Sequence, residues 1–192
     1  MPLIGDHAPE FHAMTTQGKI DFPADYKGSW VVLFSHPADF TPVCTTEFIA
    51  LSRMNETFES LNAKLIGLSI DSLHSHLGWI KSIEALNFNN EGKVKIPFPI
   101  IADISMNVAK KYGMLQTVAN TQTVRAVFII DPEGIIRTIL YYPMSTGRNI
   151  PEIIRILQSL QLNDKTHYST PANWQPVDAV VMGAPLTIEE VQ

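Results

Sequence analysis

Two short apolar runs, Ser29–Phe34 and Ala63–Ile70, flank a stretch of helical periodicity, and this pattern constrains the fold more than any other feature of the chain. Each run is bounded by chain breakers and is mostly apolar, as in strands covered on both faces. Between them Phe48, Leu51, Met54, Phe58 and Leu61 recur at steps of three or four, so the linking segment reads as a helix with one buried face. Strand, helix and strand make a βαβ unit. A second crossover follows, in which Asp71 is placed to cap a helix whose Leu73, Leu77, Ile80 and Ile83 keep helical spacing. Residues 88–94, rich in Asn and containing Gly92, read as a loop, followed by a short helix from about Met106 that Gly113 ends.

Farther on, Val124–Ile130 and Ile135–Tyr142 are β-branched and aromatic runs joined by Asp131-Pro132-Glu133-Gly134, which is turn chemistry for an antiparallel hairpin. The sheet is therefore mixed. Asn149 followed by Glu152 can form a capping box, opening a helix with the stripe Ile150, Ile153, Ile154, Leu157 and Leu160. These elements predict an α/β domain over 1–162. Residues 163–192 carry Pro171, Pro176 and Pro185 with little periodicity but also Trp174, Val177, Val180, Val181 and Met182. That composition predicts an extended arm packed on its own domain or on a partner subunit.

Charge and cysteine content remove several classes of function. With 14 basic and 19 acidic residues the net charge is -5, and no basic tract supplies the phosphate contacts that nucleic acids demand. No apolar run reaches the roughly 20 residues that span a bilayer. The start, MPLIGDHAPEF, has neither a basic nor an apolar signal region, so a soluble cytoplasmic protein is expected. Histidines show no ligand spacing, and neither a metal nor another cofactor is expected. The single cysteine, Cys44, has no intramolecular partner and must be structural or reactive alone.

A lone cysteine in an apolar α/β chain is ordinarily an inert small hydrophobe. Cys44, however, falls just past the C-terminal end of a strand, where open α/β sheets bind ligands. With Thr41 as N-cap and Pro42 as first helical residue, Cys44 is the third helical residue, and its sulfur lies near the positive end of the helix. A free thiol with pKa near 8.5 is only about 3% ionised at pH 7, so full ionisation gains about 30-fold. A fast enzyme built on this thiol would also need charge stabilised on its leaving group, where each preorganised donor is worth about 10²- to 10³-fold.

The segment Phe34–Glu47, FSHPADFTPVCTTE, contains PxxxTxxC as Pro37, Thr41 and Cys44 and resembles the active-site segment of peroxiredoxins. The resemblance extends to Pro9-Glu10-Phe11, Arg125, Tyr142-Pro143, Thr146-Gly147-Arg148-Asn149 and Thr170-Pro171 with Trp174. The last two segments, with His36, resemble the one-cysteine subgroup. It implies a thioredoxin-like fold and a thiol-dependent peroxidase that reduces hydrogen peroxide and organic hydroperoxides, with Cys44 passing through a sulfenic acid. Arg125 would be the cationic partner of the sulfur. Thr41 would hydrogen-bond thiolate and substrate, and Pro37 would shield the oxidised sulfur. His36, Glu47 and Arg148 are candidates beside these, Glu47 by pairing with an arginine and Arg148 as a second cation or simply part of a helix-entry turn. Recycling would fall to an external thiol, and a homodimer, with rings as a further level, is expected.

Some one-cysteine relatives also hydrolyse phospholipids at a serine between glycines. Here Ser29 lies in Lys27-Gly28-Ser29-Trp30-Val31 without that setting, and Pro23 stands where those relatives carry a histidine, which argues against lipid hydrolysis. Two other readings share the chain: an assembly or holdase-like protein with an inert Cys44, and a redox sensor that uses the same sulfur without turnover.

Overall fold

A computed structural model of the chain describes residues 1–115 and 122–182; Pro185 and the end of the expected arm lie outside them. The strands are β1 (Phe11–Thr15), β2 (Gly18–Phe22), β3 (Trp30–Ser35), β4 (Ala63–Ser69), β5 (Ile100–Ala102), β6 (Arg125–Ile130) and β7 (Ile136–Tyr142). The helices are α1 (Pro42–Arg53), α2 (Asn55–Ser60), α3 (Leu73–Ala85), α4 (Asn107–Tyr112) and α5 (Ile150–Thr166). One mixed sheet of order β2-β1-β5-β4-β3-β6-β7, flanked by helices, makes the expected thioredoxin-like fold. β3, β4 and β5 run parallel, as βαβ crossovers require, while β6 and β7 add the antiparallel hairpin. Its turn closes with Gly134 at φ 84°, a left-handed conformation that glycine adopts without a Cβ clash.

β3 is buried at every residue and divides the core by its alternation. Val31 and Leu33 join Phe11, Phe22, Ile66, Leu68, Tyr112 and Phe128 in a core cluster. Phe34 instead enters an aromatic group with Phe48 and Phe98, ring centroids 5.5 and 5.7 Å away, and Phe48 lies 4.6 Å from Trp79. That aromatic group takes Phe48 from the second turn of α1 and Trp79 from the second turn of α3.

Several expectations need correction. The single helix expected up to Leu61 is two, because Met54 takes φ -94°, ψ 2° and ends α1 before α2 returns Phe58 to the core. The cap of α3 is Ser72, whose hydroxyl accepts from Ser75 N–H at 3.2 Å. Asp71 does not serve because its Oδ2 is already taken by Ser69 Oγ at 2.7 Å and Asp39 N–H at 3.0 Å. The buried face of α3 is His76, Trp79 and Ile83, with Leu77 exposed. Counting histidine as polar turned the expected stripe away from the face that a buried carboxylate holds. The strands β1, β2 and β5 were not recognised: β1 and β2 bury only Phe11, Thr15 and Phe22, and β5 has three residues, too few for a period.

The chain divides into two compact units, Met1–Ile150 and Pro151–Gln192. In the second, Glu152 pairs with Arg155 at 2.6 Å, and Arg155 Nη1 donates to Trp174 O at 3.2 Å. Trp174 is buried, and its indole N–H donates to Asp178 O. These bonds tie α5 to the segment after it. Val177, Val181 and Met182 are exposed. No helix among the described residues is long and apolar enough to cross a membrane.

Candidate active site

The site forms where β3 ends. Ser35, its last residue, is pinned to the neighbouring strand: its hydroxyl donates to Val124 O at 2.6 Å and accepts from Ala126 N–H at 3.1 Å. The chain then runs through residues 36–41 into α1, whose start follows the expected grammar, with Thr41 extended and Pro42 at the first helical position. The first backbone bond into the helix is Thr45 N–H to Thr41 O at 3.0 Å, so the amides of Val43 and Cys44 have no intrahelical acceptor. They are donors beside the sulfur. Cys44 itself is fully buried.

Arg125, the first residue of β6, places Nη1 3.2 Å from Cys44 Sγ and 2.8 Å from Glu47 Oε2. Its Nε and Nη2 both donate to Met144 O, at 2.9 and 2.7 Å, which fixes the guanidinium plane. Glu47, one helical turn beyond Cys44, also takes Arg148: Nε and the backbone N–H reach Oε1 at 2.9 and 2.8 Å, and Nη2 reaches Oε2 at 2.7 Å. Arg148 Nη1 donates to Ser35 O and Ala126 O, and its guanidinium lies over the Phe34 ring. Both arginines and the glutamate are buried. Burial pushes the Glu47 carboxyl upward, but Arg148 through charge and hydrogen bonds, with the charge of Arg125, outweighs it and holds Glu47 below the usual carboxylate range. Two cations share one carboxylate, leaving a net positive charge against the sulfur.

On the other side of Cys44 in sequence, His36 Nε2 and His76 Nδ1 both meet the Asp39 carboxylate, at 2.9 and 2.8 Å. His76 Nε2 faces Ile101 O at 3.1 Å, and His36 Nδ1 has no partner. Burial lowers His36 against the pull of Asp39, so its ring is neutral, with the proton on the nitrogen that meets Asp39. Burial raises Asp39, but hydrogen bonds from the two histidines outweigh this and hold it well below the usual range. His36, Asp39 and His76 have donor atoms within 4.8 Å of one another, the spread of a metal site. Their direct hydrogen bonds at 2.8 to 3.0 Å already use those atoms.

The structure thus brings Cys44, Arg125 and Glu47 together as a bonded unit, with Arg148 attached through Glu47 and making no bond to the sulfur. Pro37 is buried beside His36. Thr41 departs from expectation: its hydroxyl donates to Ala38 O at 2.9 Å, so its proton is used by the loop and not by Cys44. His36 is a wall residue whose ring packs 4.9 Å from both Phe48 and Trp79. Sequence reasoning missed Asp39 and His76, because a histidine at a helical core position carries no signal until its acceptor is known. Ser29, the position considered for lipid chemistry, has its hydroxyl 3.3 Å from Asn62 Oδ1.

The AhpC/TSA family model matches residues 4–139. A peroxiredoxin of Methanosarcina mazei is 60% identical over 194 residues, covering 100% of this chain and 89% of the relative. The chain belongs to the peroxiredoxins of the AhpC/TSA family. Among solved structures, the yeast mitochondrial 1-Cys peroxiredoxin is 45% identical with TM-score 0.87, covering 95% of this chain and 87% of that one. A mutant of peroxiredoxin 6 from Arenicola marina is 38% identical with TM-score 0.89, covering 100% and 88%. As a peroxiredoxin this chain is a thiol-dependent peroxidase, and its one cysteine fits the 1-Cys subgroup.

Proposed function

We propose that Cys44 is the sulfur that reduces hydrogen peroxide and organic hydroperoxides, with Arg125 acting on both sulfur and substrate. The thiolate attacks the terminal peroxide oxygen, the S–O bond forms as the O–O bond breaks, and the departing alkoxide or hydroxide takes a proton to leave as alcohol or water. Cys44 ends as a sulfenic acid. The observation that carries this reading is the 3.2 Å contact from Arg125 Nη1 to Cys44 Sγ, made by a guanidinium that Glu47 and Met144 O hold still. Such a cation and the free amides of the first turn stabilise charge on the leaving oxygen without reorganising. Pro37 and Thr41 act as loop residues that shape the pocket. Peroxide consumption by wild type and Cys44→Ser, with a panel of thiol donors, tests the assignment.

An external thiol resolves the sulfenic acid, since the chain holds no second cysteine. The yeast 1-Cys relative is resolved through glutathione and thioredoxin systems, and the same classes of thiol are the donors to try first. A reduced single cysteine suits the cytoplasm. The working form is a homodimer, with larger rings as a further level. β7 is the last strand of the sheet, and the segment after α5 exposes Val177, Val181 and Met182, apolar surface that suits packing on its own domain or on a partner. Sedimentation of the reduced protein tests the assembly.

A further inference from the structure

The segment from Pro37 to Thr41 makes the turn that delivers Cys44, and its backbone is not at ease. Phe40 has φ 57°, the left-handed region that a bulky side chain avoids, and it is exposed, so packing of its own ring does not explain the conformation. Something must hold the turn from inside. The only side chain of this segment with two ring partners is Asp39, whose carboxylate lies in the core between His36 and His76. Its backbone N–H is held as well, by Asp71 Oδ2.

His76 is the member of this group that reaches furthest. It comes from α3, 37 residues away, and meets both carboxylate oxygens of Asp39 at 3.0 and 2.8 Å with one nitrogen while the other faces Ile101 O on β5. A carboxylate and a carbonyl only accept, so both ring nitrogens of His76 face acceptors that fix the ring between Asp39 and β5. His36 meets the same carboxylate as a neutral donor. The contact is closed off from solvent, so an Asp39 carboxylate that loses His76 stays buried with a hydrogen-bond partner missing.

We infer that His76 is a positioning residue of the peroxidase reaction: through Asp39 it holds the Pro37–Thr41 turn in the strained form that aligns Cys44 and the first amides of α1. This rests on Cys44 being the reacting sulfur. A displacement of about 1 Å at reacting groups can lower a rate by two orders of magnitude, so a remote hold on the turn is enough to matter.

The test compares the rate of Cys44 with hydrogen peroxide and its rate of alkylation by iodoacetamide, in the full chain. A change in thiol ionisation moves both rates the same way, whereas a loosened turn lowers the first, which needs aligned donors, and raises the second, which needs access. His76→Leu and Asp39→Ala should each lower the peroxide rate at least tenfold and raise alkylation several-fold while unfolding remains cooperative. Asp39→Asn should lose several-fold less than Asp39→Ala, because its side chain keeps a hydrogen-bonding group against each ring. Asp39→Asn in the His76→Leu background should recover part of the loss by removing the unpaired charge. If His76→Leu does not fold, Asp39→Ala and Asp39→Asn carry the test by the same two rates. Wild-type peroxide rates in His76→Leu or in Asp39→Ala, or both rates shifting together, would overturn the inference. Turnover by Cys44→Ser would instead overturn the assignment of Cys44.

Discussion

Arg125 and Cys44 are 81 residues apart in sequence, yet Arg125 Nη1 lies 3.2 Å from Cys44 Sγ. The same nitrogen lies 2.8 Å from Glu47 Oε2, so one guanidinium hydrogen-bonding edge serves a sulfur and a carboxylate that are one helical turn apart. The chemistry of the site follows from that arrangement: the cation is aimed by Glu47 and Met144 O, and what remains of its charge falls on the sulfur.

Replacing Cys44 by Ser should abolish peroxide consumption and leave the fold intact, because a hydroxyl cannot supply a soft anionic nucleophile near neutral pH. Peroxide loss and far-UV circular dichroism on the same sample check both halves. Retained turnover sinks the assignment.

Arg125→Ala should lower the second-order rate with peroxide by more than the roughly 30-fold that thiol ionisation alone supplies, since it also removes charge from the leaving oxygen. Arg125→Lys should recover little. A lysine keeps the charge but cannot hold Met144 O with two N–H groups while a third serves Cys44 and Glu47. Rates compared at a pH where both thiols are ionised isolate the transition-state effect, and equal rates there would confine Arg125 to ionisation.

Glu47→Gln should destabilise the protein by about 3–5 kcal/mol, the usual loss when a buried ion pair is broken and its partner charges remain. It should also change the response to acid. Because the folded state holds the Glu47 carboxyl below its usual value, the folded chain binds a proton less readily than the unfolded one. The stabilisation is complete above the unfolded value of about 4.3 and is lost as pH falls through the folded one. Thermal unfolding of the wild type should therefore weaken steeply below about pH 4, and the Gln variant should show a shallower slope over the same range. Parallel slopes would show that Glu47 titrates alike in both states.

Oxidised enzyme should wait for an external thiol. Cys44 is fully buried and unique in the chain, so two oxidised sites should rarely meet. One equivalent of peroxide should add one oxygen to the intact mass, and excess should add two or three. Turnover should stall after one equivalent until a competent thiol forms a mixed disulfide. A predominant disulfide-linked dimer on a non-reducing gel would mean that resolution occurs between subunits and that the one-cysteine cycle is wrong.

By itself the sequence determined what depends on neighbours in the chain. The periodicity of Phe48 and Leu51 in α1, the apolar runs of β3 and β4, and the Asp131–Gly134 turn are local patterns, and each marks its element. The motif Pro37, Thr41, Cys44 likewise lies within one turn and one helix start, so it could be read without knowing the fold. Tertiary structure alone decided which polar groups meet. Nothing in the spacing of Glu47, Arg125 and Arg148 says that one carboxylate holds both cations, or that Arg148 stops short of the sulfur. The same holds for Asp39 and His76, whose partnership turned the buried face of α3 away from Leu77. Thr41 is a local case by contrast, since its hydroxyl donates to Ala38 O only three residues back. The reason is physical: apolar burial is non-directional and leaves a periodic trace in sequence, whereas a buried polar group is defined by a partner that satisfies it at about 2.9 Å, and that partner is chosen by the packing of distant elements.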